Sequence, residues 1–190
     1  MNKNPIQEER IKGYFIQAAM EILRGEGIRD LSVRNVAEKA GYSYATLYNY
    51  FKDLNELLTV CITEFLNENE AGITSAVQYI PKGKQRLAVI YFTYIKYFVQ
   101  YPGIFELTYF GKNKNSRNLI LNFIENISSE DWNYLIDKSF YTKEEATAIK
   151  QTANYIVIGL LLAYNNLHFP DSYEKFQQVV KEQFTTLLEL

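Results

Sequence analysis

Residues 31–58 read LSVRNVAEKAGYSYATLYNYFKDLNELL, two short apolar-periodic runs hinged on one glycine and followed by the start of a third. Ser32 is a good N-cap, and Val33, Val36, Ala37 and Ala40 recur at the i, i+3, i+4, i+7 spacing that gathers apolar groups on one helical face. Arg34 and Glu38 point away from that face. Gly41 stands where the chain must take a positive φ to stop the helix and turn, a conformation open to glycine without a Cβ penalty. Tyr42 and Ser43 complete the turn. Ser43 can cap a second helix, from Ser43 to Tyr50, whose Leu47 and Phe51 lie on the inward side against the first.

At about 100° per residue, Ala45 and Asn49 point most nearly away from Leu47, with Thr46 and Tyr48 beside them and Tyr44 at the N-terminal end. Two readings fit this spacing. One is a packed helical hairpin of any small α domain. The other is a helix-turn-helix, in which a small residue at 45 permits close approach to a groove while hydroxyls and an amide reach phosphates or base edges.

The segment resembles the N-terminal domain of the TetR (tetracycline repressor) family of bacterial transcriptional regulators. That family's pattern runs Ser/Thr-Val-Arg-x-Ile-Ala-x-x-Ala-Gly-Val-Ser-x-Gly-Thr-Leu-Tyr-x-His-Phe-x-x-Lys-Glu-x-Leu. Ser32-Val33-Arg34, Val36-Ala37, Ala40-Gly41, Ser43, Thr46-Leu47-Tyr48, Phe51 and Glu56-Leu57-Leu58 match in order. The resemblance implies DNA contacts from Ser32, Arg34, Tyr42, Ser43, Tyr44, Ala45, Thr46, Tyr48, Asn49, Tyr50 and Lys52. Three departures stand out: Ala45 where the family favours Gly or Pro, Tyr50 where it often has His, and Leu54 where many members carry a phosphate-facing lysine. Backbone clamping is then expected to rest on Lys52 and on backbone N–H groups.

The chain of 190 residues, 47% hydrophobic, has the composition of a folded globular protein. Its formal charge of −2 counts against a nucleic-acid partner taken over the whole molecule. From Leu31 to Lys52, however, Arg34, Lys39 and Lys52 outnumber the single acid Glu38. So light a basic patch implies few phosphate contacts and a shallow salt slope per subunit. No secretory signal is visible, and the longest apolar run, Tyr155 to Tyr164, is too short to span a bilayer, which makes the cytoplasm the expected location. The single cysteine, Cys61, excludes an internal disulfide and a cysteine-cluster metal site. On the apolar side of its helix it reads as a buried structural thiol.

The periodicity is all-helical: an N-terminal three-helix helix-turn-helix domain over 1–55 and a helical regulatory and dimerisation domain over 56–190. Asn4 and Gln7 form a capping pair around Pro5, and Ile11, Phe15, Ala18 and Ile22 stripe a first helix ending near Gly25 or Gly27. A fourth helix runs from about Asp53 to Ala71 and links the two domains. Beyond it the expected helices are 84–101, a short piece ending at a mobile polar loop over 111–115, then 116–127, 131–139, a long apolar helix from Lys143 to His168 opened by a Thr142/Glu145 capping box, and a last one to Leu190. His168, the only histidine, falls at a helix end, where it reads as a cap or dipole partner.

The long apolar helix is apolar on most sides, through Tyr155, Ile158, Gly159 and Leu162, and Phe176, Val180, Phe184 and Leu187 stripe the last helix. These eight residues are the expected interface of a homodimer, as the resemblance implies, and two-fold symmetry predicts a palindromic operator. An aromatic band over 91–110 reads either as core or as the wall of an effector pocket formed by Tyr91, Tyr94, Phe98, Phe105, Glu106 and Tyr109. The motifs of catalysis are missing: no metal-ligand spacing, no phosphate loop, no nucleophile beside a base and no cofactor fingerprint. The expectation is a sequence-specific DNA-binding regulator, a homodimeric repressor released from double-stranded operator DNA by a small-molecule effector. The alternative is an architectural or partner-regulated DNA binder of the same fold without a ligand.

Overall fold

The computed structural model describes residues 5–111 and 114–190. Among them are α1 (Pro5–Gly25), a 3-10 turn (Ile28–Asp30), α2 (Val33–Lys39), α3 (Tyr44–Leu47), α4 (Leu54–Val77), α5 (Lys84–Gln100), α6 (Pro102–Phe110), α7 (Lys114–Asp137), α8 (Lys143–Leu167) and α9 (Tyr173–Leu188), with no strand among the described residues. The chain divides into two compact units, residues 1–67 with 101–121, and residues 68–100 with 122–190.

In the first unit α1 packs on α2 and α2 on α3, and Phe15, Ala18, Ala19 and Ile22 of α1, Val36 and Ala37 of α2 and Leu47 of α3 are all buried. Each large aliphatic or aromatic side chain removed from water here contributes roughly 1.5–3 kcal/mol. Rings close the core from the turns: Tyr42 and Tyr50 pack on Phe15 at centroid distances of 5.5 and 6.1 Å. Cys61 is fully buried as well. The short α6 joins this unit by packing on α1 and the 3-10 turn.

The second unit centres on α5, whose Leu87, Ile90, Tyr91, Tyr94, Ile95 and Phe98 are buried against α8 and α9. On α9 every fourth residue, Phe176, Val180, Phe184 and Leu188, turns into this core. Tyr91 stacks on Phe184 at 4.8 Å and Tyr164 packs on Phe176 at 4.3 Å. The buried Asp131 of α7 ties down the start of α5: its Oδ1 accepts the Gly83 N–H at 2.9 Å and its Oδ2 lies 3.2 Å from Arg86 Nη1.

Several expected boundaries move. The two helices expected over 116–127 and 131–139 are one, α7, because Ser128 and Ser129 do not break the chain but bond back to the Ile124 and Asn126 carbonyls, both at 2.8 Å. The fourth helix continues through Gly72 to Val77 before Pro81 ends any continuation. Asn4 of the expected capping pair lies outside the described residues, as do 112 and 113 of the expected loop, whose residues 114 and 115 already belong to α7. The Thr142/Glu145 capping box is formed, and His168 caps α8 in the left-handed region at φ 52°.

α8 also changes the view of apolar length. Its 25 residues are long and apolar enough by composition to cross a bilayer, although the uninterrupted run from Tyr155 to Tyr164 alone is not. Only 22% of its most apolar window is buried within the chain. Ala146, Ala153, Val157 and Leu161 face the core, while Tyr155 is 74% and Leu167 75% exposed.

Candidate nucleic-acid interface

The reading head is assembled by caps at both ends of its turn. Ser32 Oγ accepts the Asn35 N–H at 3.1 Å, fixing the start of α2, and the Asn35 amide nitrogen donates to the Asp30 carbonyl at 2.7 Å. At the other end the Gly41 N–H donates to the Glu38 carbonyl at 3.0 Å and the Tyr42 N–H to the Ala37 carbonyl at 2.9 Å, with Gly41 at φ +78°. This pair of bonds is the Schellman closure, and it requires a left-handed residue at position 41. Ser43 Oγ then accepts the Thr46 N–H at 3.2 Å and lies 2.9 Å from the Thr46 hydroxyl.

α3 itself is shorter than the expected span from Ser43 to Tyr50. After Leu47 the backbone tightens: the Asn49 and Tyr50 N–H groups bond to Thr46 and Leu47 three residues back. Leu47 and Phe51 are buried on the inner side, at 0% and 1% exposure, and this anchoring aims the opposite ridge outward.

The proposed contact residues divide by exposure. Arg34, Ser43, Tyr44, Ala45, Tyr48, Asn49 and Lys52 are exposed, with Tyr44 at 64% and Tyr48 at 51%. Ser32, Tyr42, Thr46 and Tyr50 are half-buried. Ser32 is spent on its cap, and Tyr42 and Tyr50 hold their rings against Phe15. At the start of α4, where backbone clamping is expected, two of the amides are already engaged. The Lys52 N–H already donates to Glu56 Oε2 at 2.7 Å, and the Glu56 N–H to Asp53 Oδ1 at 2.9 Å. Two carboxylates thus satisfy two of the amides at this helix start, and the Lys52 side chain beside them is exposed. Lys39 is held 3.4 Å from Glu21.

Sequence reasoning missed Arg10. Its guanidinium lies 5.8 Å above the Tyr14 ring, which stacks on Tyr42 at 6.3 Å, so α1 sets a cation beside the turn. The signal was a basic residue on the polar side of the first apolar stripe.

The other expected sites fare differently. Of the residues expected at a dimer interface, Phe176, Val180 and Phe184 are buried at 2% exposure or less in the core of this chain. Their strict four-residue spacing marks the inward face of α9. Tyr155 and Gly159 are exposed, and Ile158, Leu162 and Leu187 are half-buried. Of the effector residues, Tyr91, Tyr94 and Phe98 are buried in the second unit and Phe105 in the first, with Glu106 and Tyr109 half-buried there. Their rings are engaged in packing: Tyr94 meets Phe98 edge-on at 5.0 Å and Phe105 lies 4.9 Å from Tyr109. A cavity of about 380 Å³ in the second unit has another lining, including Asn69, Gly72, Thr93, Lys96 and Tyr97. Asn69 is 1% exposed, and neither its amide nitrogen nor its oxygen has a partner.

Capped helices around a Schellman turn, with an anchored inner face and an exposed ridge of phenols, a methyl and a carboxamide, define a helix-turn-helix DNA reader at the head of an all-helical protein. Residues 15–61 match the model of the bacterial regulatory proteins of the tetR family. Over these residues the chain carries the N-terminal DNA-binding domain of that family. It is similar to the HTH-type transcriptional regulator BetI of Escherichia coli, 27% identical over 78 residues, a match that spans 40% of this chain and 40% of the curated relative. Its fold resembles that of the fatty acid degradation regulator FadR from Bacillus halodurans, with a TM-score of 0.73 at 17% identity over 99% of this chain and 97% of the other. FadR from Bacillus subtilis, solved in complex with stearoyl-CoA, gives 0.73 at 17% identity over 93% and 97%.

Proposed function

We propose that the protein is a homodimeric transcriptional repressor whose 1–55 domain reads a palindromic operator and whose 56–190 region dimerises and binds a small-molecule effector. The observation that carries the DNA reading is the exposed ridge of Tyr44, Ala45, Tyr48 and Asn49 set outward by the buried Leu47 and Phe51. Each subunit lays this ridge in a major groove, and the exposed Arg34 and Lys52 supply phosphate contacts on either side. With so few cations per head, a single subunit binds weakly and two heads on one duplex are needed. DNA of this kind lies in the bacterial cytoplasm, and nothing in the reading requires catalysis.

Dimerisation is supported by α8, which carries an apolar surface that its own chain leaves mostly uncovered. Tyr155, Gly159 and Leu162 are the residues to pair with a second copy, with Leu187 of α9 beside them. The effector seat with most support is the cavity at Asn69. A buried carboxamide without partners loses several hydrogen bonds unless a ligand or ordered water supplies them. An effector there releases DNA only by binding the DNA-free conformation more tightly than the DNA-bound one.

The experiment is fluorescence-anisotropy titration of the full-length protein on promoter DNA recovered by genome-wide mapping of bound sites. Tyr48→Ala and Lys52→Ala are each expected to weaken binding roughly tenfold, and only Lys52→Ala to reduce the salt slope. Wild-type affinity in both variants would eliminate the assigned reading face.

A further inference from the structure

The chemistry of the reading segment narrows the DNA it fits, an inference that rests on the operator-reading assignment above. Residues 42–51, YSYATLYNYF, contain no Lys, Arg, His, Asp or Glu. The groups exposed on the ridge are the phenols of Tyr44 and Tyr48, the methyl of Ala45 and the carboxamide of Asn49. The Ser43 hydroxyl beside them is engaged with Thr46.

In the major groove a G·C pair is best read by a cation bidentate to guanine O6 and N7 or by a carboxylate accepting from cytosine N4. An A·T pair instead offers a carboxamide the adenine N6 and N7 atoms, and offers apolar groups the thymine methyl. The ridge carries the second set of groups and lacks the first. Arg10 belongs to α1, Arg34 to α2 and Lys52 follows α3, so none of them lies on the ridge itself, and Lys39 is held by Glu21.

We propose that each half-site presents A·T pairs to this ridge, with Asn49 bonded to an adenine and Ala45 and the tyrosine rings packed on thymine methyls. Ala45 and Asn49 are one turn apart, a rise of about 6–8 Å, so their contacts fall within about two base-pair steps.

The test is selection of binding sites from a random duplex library with the full-length protein, followed by atom-level substitution in the enriched site. A·T pairs are expected at the central positions of each half-site. Deoxyuridine in place of thymidine there removes only the methyl and is expected to weaken binding about three- to fivefold per contacted base. Asn49→Ala, at an exposed position that leaves the core intact, is expected to reduce a roughly 10- to 100-fold preference for adenine over guanine at one position to near unity. Guanines enriched under the ridge, or affinity indifferent to deoxyuridine, would overturn this proposal while leaving the operator-reading role intact. A library in which no sequence is enriched would remove that role and this inference together.

Discussion

Cys61 in the first unit and Tyr91 in the second share one physical condition, an acidic proton in a site that disfavours its loss. Burial pushes the Cys61 thiol from 9.0 up to about 12, the Glu64 carboxylate adding to it against a backbone hydrogen bond, and burial likewise pushes the Tyr91 phenol from 10.0 up to about 12. Both folded-state values exceed the unfolded ones. Their contribution to stability is therefore complete below about pH 9 and is lost as the pH rises through 9–12, where the unfolded chain releases protons that the native state retains. The melting temperature is expected to hold to about pH 9 and then fall, and Cys61→Ala with Tyr91→Phe to flatten that fall. An unchanged alkaline slope in the double variant would refute the assignment. Of the two, only the burial of Cys61 was legible in the sequence, from its place on an apolar face. Tyr91 reads equally as core or as a pocket wall, because an aromatic at helical spacing looks the same facing a ligand or facing Phe184.

At the level of elements, caps written in single residues were legible and continuity was not. Ser32, Ser43, Gly41 and the Thr142/Glu145 box act locally, within five residues, and each forms as read. Whether Ser128 and Ser129 cap a new helix or bond back into an old one is not written in the serines themselves, and the neighbouring Asp131 is held by Gly83, 48 residues earlier, and by Arg86. The same kind of distant demand acts on Gly103 of α6. A Cβ at that position would sit 2.9 Å from both the Gly27 Cα and the Leu23 carbonyl oxygen, backbone atoms that cannot rotate aside. Gly103→Ala is expected to lower unfolding free energy in urea by about 1–3 kcal/mol. Gly13→Ala in α1, where nothing lies within 4 Å, is expected to be neutral or to gain up to about 1 kcal/mol. Equal effects at the two sites would contradict the close approach.

Over the whole molecule, the sequence conveyed the helical class and the reading head because both rest on short-range periodicity. It did not convey that residues 101–121 join the N-terminal unit, nor that Phe176, Val180 and Phe184 face their own core. An apolar stripe on α9 is equally consistent with an internal partner and with a second subunit. α8 leaves apolar surface uncovered by its own chain, Tyr155 and Leu167 being about three-quarters exposed. If a second copy covers this surface, folding and association are one equilibrium, and mass action sets how much native protein exists. The melting temperature is expected to climb about 2 °C for each tenfold increase in protein concentration, and Tyr155→Glu to abolish the trend. A melting temperature independent of concentration in the wild type would show that α8 is covered by something else. On this view a cell that makes little of the protein holds fewer native molecules than the chain count suggests, so dilution by itself can relieve repression without any ligand.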